Sequence, residues 1–338
     1  MVIELTDGLA RCPLDKLEGL AISVENLLTG YYEGNLILVI SRPLCAFIRG
    51  RGLVKTVRAD KALRHIETGG GYIPAVLWRL QVVLENPDST NHEVEYTFFN
   101  RTVSVQPTAF LCENLDDIKF YMKLVRIYYP ATPIRAMRYH GGGDTTVDVF
   151  SYLKGLQVAC LVILDSDIKY PGCKLGETAR KCLAKQKTAS SYVEVKMLDV
   201  HEAENLVPIA FMKQNACQGG KALLKRMTER RLLNTLVTFD VKSGIQKQDV
   251  EQDSKYNEYC EKLYNELYRP RKNTYEVFLR QKRNGTDFVF SQVRANLLGK
   301  FNEDRSLVYP SDILSPQREA IAQLVHTFVC CRGYDPLN

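Results

Sequence analysis

Val158-Ala159-Cys160-Leu161-Val162-Ile163-Leu164 runs straight into Asp165-Ser166-Asp167. An unbroken apolar run of this length, ended by short polar residues, is the pattern of a strand buried on both faces of a parallel sheet. On either side, Thr108 to Cys112, Ile134 to Tyr139 and Val193 to Leu198 read as further strands. Between them, Leu115 to Ile127, Val147 to Leu156 and Glu177 to Lys187 have helical composition, with Ile118, Tyr121, Met122 and Val125 spaced along one helix face. Strand and helix in alternation predict an α/β domain with a parallel sheet flanked by helices over residues 106–210.

The flanks read differently. Residues 1–105 hold an apolar run at Leu36 to Ile40 behind Gly34-Asn35, and partly alternating stretches at Val76 to Glu85 and Glu93 to Val105. They predict a strand-rich N-terminal α+β domain, whose role the residues do not disclose. Residues 211–338 read as a mostly helical, basic region, with helices at Lys221 to Leu236, Ser254 to Tyr268 and Ser315 to Val329. Asn284-Gly285 is a strong hairpin signal, so Thr274 to Arg280 and Thr286 to Phe290 are expected to pair as strands.

With 45% hydrophobic and 25% charged residues, the 338-residue chain has the balance of a globular protein, which excludes wholesale disorder. No stretch approaches the roughly 18 to 20 apolar residues of a membrane span. Met1 to Asp15 carries acids early and no long apolar run, which predicts no secretory signal. Ten scattered cysteines without a Cys-x-x-Cys pair read as reduced thiols. The expectation is a cytoplasmic protein with no membrane partner. There is no Gly-x-x-x-x-Gly-Lys-Ser/Thr loop, so no ATPase of its own is expected. His140-Gly141-Gly142-Gly143 invites comparison with lipase oxyanion segments, but no Gly-x-Ser-x-Gly accompanies it. A glycine turn after a strand is the better reading.

Acids fall at the predicted strand ends. Glu113 follows the first strand of the middle domain and Asp117 comes one helical turn later. Asp165 and Asp167 close the most apolar strand, and Glu202 and Glu204 follow the last, in His201-Glu202-Ala203-Glu204-Asn205. Strand carboxyl ends in a parallel sheet share one edge, where sites form. Carboxylates gathered there repel unless protons or cations neutralise them. Oxygen ligands without His or Cys companions suit Mg²⁺ or Mn²⁺ better than Zn²⁺. Such ions beside a phosphate equip a site for phosphodiester hydrolysis. Each motif also has a plainer explanation, as a helix cap or a solvated charged face.

Glu113-Asn114-Leu115-Asp116-Asp117, Asp165-Ser166-Asp167 and His201-Glu202-Ala203-Glu204-Asn205-Leu206-Val207-Pro208 together resemble, over about a hundred residues, the motifs of Toprim-like nucleases of the kind grouped with overcoming-lysogenization-defect and other anti-phage effectors. The resemblance implies a four-stranded parallel sheet binding divalent metal. Glu113 would bind metal or act as general base, supported by Asp117. Asp165 and Asp167 would be the principal ligands, and Glu204 or Glu202 would complete a second site. It also implies a role in antiviral defence beside a separate sensor or ATPase, with self-association open. The chain departs from the topoisomerase form of the family, since Asn114 replaces the usual Gly and Lys169 stands where a third Asp would fall. Those departures favour a nuclease.

Basic residues cluster late. Lys221, Lys225, Arg226, Arg230 and Arg231 repeat at helical spacing, and Arg271, Lys272, Arg280, Lys282 and Arg283 lie near Tyr268 and Tyr275. Cations with interleaved rings suit a DNA or RNA groove, tRNA included, although a solvated helix face has the same composition. The leading expectation is therefore a Mg²⁺- or Mn²⁺-dependent endonuclease. The alternatives are a catalytically degenerate Toprim scaffold that binds nucleic acid or a protein, and a small-molecule phosphatase in which Asp165 would be the nucleophile.

Overall fold

A computed structural model of the chain describes residues 1–70, 73–186, 191–269, 275, 279 and 288–333. The chain forms two compact units. One comprises Met1–Ile163, Lys181–Lys196 and Ala320–Asn338, the other Leu164–Arg180 and Met197–Glu319.

The first unit begins with β1 (Val2–Leu5), α1 (Leu17–Tyr32), β2 (Ile37–Ile40), α2 (Arg42–Gly50), α3 (Val57–Glu67), β3 (Leu80–Val83) and β4 (Glu93–Glu95). These strands make one sheet in the order β2-β1-β3-β4. All its pairings are parallel, with Ile3 opposite both Leu38 and Leu80, and Val82 opposite Val94. This corrects the α+β expectation for the N-terminal region, which is α/β. The sequence signal was weak because β1 is only four residues long and β4 only three. Beyond β4 the expected strand gives way to 3₁₀ turns at Tyr96–Asn100 and Thr102–Val105. Helices α2 and α3 begin with ordinary capping chemistry: Ser41 Oγ accepts the Leu44 N–H at 3.2 Å and Thr56 Oγ1 the Ala59 N–H at 3.3 Å.

A second four-stranded sheet follows, formed by β5 (Ala109–Cys112), β6 (Met137–His140), β7 (Cys160–Leu164) and β8 (Val193–Met197), in the order β6-β5-β7-β8. Between them lie α4 (Leu115–Tyr128), α5 (Thr146–Leu156) and α6 (Glu177–Gln186). β5 runs parallel to both neighbours, Leu111 opposite Tyr139 on one side and Val162 on the other. The two sheets thus repeat one strand order, although the sequence carries no visible repeat. β7, whose apolar run set the reading of the fold, is buried at every position. Each such Val, Leu or Ile contributes about 1.5–3 kcal/mol through removal from water. Helix α4 turns Ile118, Tyr121, Met122 and Val125 inward as the spacing predicts.

The second unit holds α7 (Ile209–Asn215), α8 (Gln218–Glu229), β9 (Ile245–Gln246), α9 (Lys247–Gln252), α10 (Ser254–Tyr268), β10 (Phe288–Phe290) and α11 (Leu297–Glu303), and α12 (Ser315–Val329) begins there. Helix α8 is shorter than the predicted 221–236, since the chain turns into a 3₁₀ segment at Leu233–Thr238. The expected hairpin partner of β10 is also corrected. β10 pairs antiparallel with β9 instead, and Tyr275 and Leu279, taken as strand residues, have helical backbone. The Asn284-Gly285 turn lies outside the described residues. Among the described residues, no helix is long and apolar enough to cross a membrane.

Candidate metal centre

Within the second unit, the two acidic motifs that follow β7 and β8 are pinned to each other through the backbone. Ser166 is fully buried, and its Oγ donates to the Val200 carbonyl at 2.6 Å. The N–H groups of Ser166 and Asp167 both donate to the His201 carbonyl, at 3.2 and 3.0 Å. Asp165 Oδ1 accepts the Ala203 N–H at 3.0 Å. A small hydroxyl residue between the two acids is therefore a structural requirement of the Asp-x-Asp turn. Asp167 is exposed, adopts the left-handed region at φ 54°, and leaves no room at Gly176, where a Cβ would stand 2.0 Å from Asp167 Oδ2.

Asn205 extends the same construction. It is fully buried; its Oδ1 accepts the Glu202 N–H at 2.9 Å, and its Nδ2 donates to the carbonyls of Phe239, at 2.7 Å, and Leu236. The His201 N–H in turn donates to Val237 at 2.7 Å. These bonds hold the turn after Leu233–Thr238 against the His-Glu-x-Glu segment and so deliver Asp240 to it. His201, Glu202 and Asp240 each offer a ligand atom, and those atoms lie within 4.8 Å of one another.

The electrostatics follow from burial and like charge. Burial pushes the Glu202 carboxyl up to about 9, with the neighbouring Glu204 and Asp240 charges adding to it and Lys242 partly offsetting them. His201, 5% exposed, is held below its usual value because burial disfavours the imidazolium more than Asp240 and Asp167 favour it. Buried Glu204 pairs with Lys242 Nζ at 3.9 Å. One imidazole and several crowded carboxylates make a donor set that fits a divalent cation. His201, which the sequence reading quoted within the motif but gave no role, adds a nitrogen donor beside these carboxylates. Asp240 and Lys242 it missed altogether. Phe239-Asp240-Val241-Lys242-Ser243-Gly244 looks like any polar turn, and the Asn205 bonds that place it join residues more than thirty positions apart in sequence.

Glu113 and Asp117 belong to the first unit. The Glu113 carbonyl accepts the Gly142 N–H at 3.0 Å, so the glycine turn after β6 closes on the end of β5. Gly141 has no substitute there, because a Cβ would stand 2.1 Å from the Thr146 Cα. The Glu113 charge is felt by Cys182, whose thiol is pushed up to about 11 chiefly by burial. Asp117 is buried, and its Oδ2 accepts the Asn114 N–H at 2.9 Å, a helix-capping contact.

Of the basic residues, Lys221, Lys225, Arg226, Arg230 and Arg231 all face solvent in the second unit. Lys225 pairs with Glu229 at 3.9 Å, and the Arg226 guanidinium lies 4.6 Å from the centre of the half-buried Tyr268 ring. Tyr275 is only 3% exposed and is a core ring, which removes it as a stacking platform for bases. Arg271, Lys272, Arg280, Lys282 and Arg283 lie outside the described residues.

Compared with protein-family models, with curated proteins and with solved structures, the chain matches none of them.

Proposed function

We propose that the chain is a divalent-metal-dependent nuclease on a Toprim-like sheet, hydrolysing phosphodiester bonds of DNA or RNA. The observation that carries this reading is the backbone pinning of Asp165-Ser166-Asp167 to His201-Glu202-Ala203, which holds two acidic motifs side by side. The parallel sheet supports it, since β5 and β7 run in the same direction. Asp165, Asp167 and Glu204 would hold the cation, with Mg²⁺ or Mn²⁺ as the ion. Bound there, the ion would lower the pKa of a water and offset charge on phosphate oxygens. The chain's own residues orient and neutralise. Lys242 brings positive charge to Glu204 and Glu202, and the exposed cations of α8 suit a polyanion backbone. The setting the resemblance suggests is antiviral defence in the cytoplasm, with a separate sensor or ATPase as partner.

The test is incubation of the purified chain with supercoiled plasmid, single strands and tRNA, with Mg²⁺ or Mn²⁺ against EDTA. Metal-dependent cleavage that Asp165→Ala abolishes is expected. Cleavage that survives both EDTA and Asp165→Ala would sink the proposal. A second reading, a binding scaffold without catalysis, is favoured by the capping role of Asp117. It predicts polyanion binding in EDTA with no cleavage of any of the three substrates.

A further inference from the structure

We infer that His201, Glu202 and Asp240 form a centre for a divalent first-row transition ion, with one imidazole nitrogen and two carboxylate oxygens as ligands. This goes beyond the nuclease reading and stands without it.

The orientation of the three side chains carries this centre. His201 is 95% buried by its 5% exposure, and its Nδ1 faces the Ile168 carbonyl at 3.2 Å, which assigns the proton to that nitrogen. Nε2 then presents a lone pair, 3.9 Å from Asp240 Oδ2, too far for a hydrogen bond. Glu202 Oε1 accepts the Lys242 N–H at 3.1 Å. Asp240 Oδ1 accepts the Ser243 N–H. In each residue the backbone fixes a polar atom, the Asn205 N–H also donating to the Glu202 carboxylate, and the three offered ligand atoms still lie within 4.8 Å of one another. Metal sites commonly orient their ligands through such outer contacts. Three donors on one ion with bonds of about 2.0–2.2 Å stand roughly 3.3–3.8 Å apart, so sub-ångström inward shifts of each atom close a set already within 4.8 Å.

The imidazole decides the class of ion. Mg²⁺ prefers oxygen ligands and keeps its waters, whereas imidazole with carboxylate suits Mn²⁺ and, more tightly, Zn²⁺. Three protein ligands also leave coordination positions open.

The probe is Mn²⁺ added to the full chain, followed by pulsed electron paramagnetic resonance and competition titration. A ¹⁴N coupling on bound Mn²⁺ is expected, lost in His201→Gln, with affinity at least tenfold weaker in His201→Gln, Glu202→Gln and Asp240→Asn. Zn²⁺ should displace Mn²⁺ at far lower concentration than Mg²⁺ does. Asp249→Asn, an acid outside the cluster, should change nothing. Bound Mn²⁺ without nitrogen coupling overturns the inference. So does an affinity that the three ligand variants leave intact, or displacement by Mg²⁺ as easily as by Zn²⁺. Circular dichroism separates lost ligation from lost folding, and the parent's coupling is read without any variant.

Discussion

Replacing Glu202 by Gln should stabilise the metal-free protein, and increasingly so as pH rises. In the unfolded chain this carboxyl titrates near 4.5, whereas in the folded chain it is held up to about 9 by burial beside Glu204 and Asp240. Below pH 4.5 both states carry the proton and the site costs nothing. As pH rises, the unfolded chain releases the proton while the folded chain keeps it, so stability falls until the folded group ionises near 9. At about 1.4 kcal/mol per unit, the rise from 4.5 to pH 7 makes the loss at pH 7 at most about 3.5 kcal/mol. Gln has no such proton equilibrium, and its amide oxygen still accepts the Lys242 N–H. Urea unfolding of parent and Glu202→Gln in EDTA between pH 5 and pH 8 measures this directly. The variant should be ahead by just under about 1 kcal/mol at pH 5 and by about 3 kcal/mol at pH 7. Parallel stability curves across that range would refute the electrostatic account of the cluster. Adding Mn²⁺ should reverse the order, stabilising the parent and leaving the variant nearly unmoved.

Four further outcomes test other parts of the structure. Gly141→Ala should cost about 1–3 kcal/mol in denaturant unfolding, because the new Cβ meets the Thr146 backbone at 2.1 Å, which no rotamer change relieves. Asp117→Ala should cost about 1 kcal/mol through the lost cap, and Asp117→Asn, which keeps an acceptor for the Asn114 N–H, much less; equal losses would count against a capping role. Leu161→Ala, at a fully buried position of β7, should cost about 2–5 kcal/mol, and a loss under 1 kcal/mol would argue against a packed second sheet. Cys160 and Cys260, both pushed up to about 12 by burial, should stay unlabelled by a thiol reagent at pH 8 until the protein unfolds, as mass spectrometry of labelled peptides can show.

The second sheet was readable in the residues because its signals are local and strong. An apolar run ending in Asp-x-Asp needs no knowledge of the rest of the chain, and α4 declares itself by periodicity, α5 and α6 by helical composition. The N-terminal sheet was harder, since strands of three and four residues carry little period, and parallel pairing is made between segments far apart. The Asn-Gly hairpin signal misled about Tyr275 and Leu279 because a turn dipeptide describes four residues and says nothing of what flanks it. The acids of the site were visible; their company was not.

Local composition established that the middle of this chain folds as α/β and carries acids where β5, β7 and β8 end, because backbone periodicity is written in neighbouring residues. Folding alone brought in Asp240 and Lys242 and turned His201 into their companion. Those groups meet through Asn205 and the His201 backbone, in bonds that close loops of more than thirty residues, and loop closure leaves no mark on local sequence.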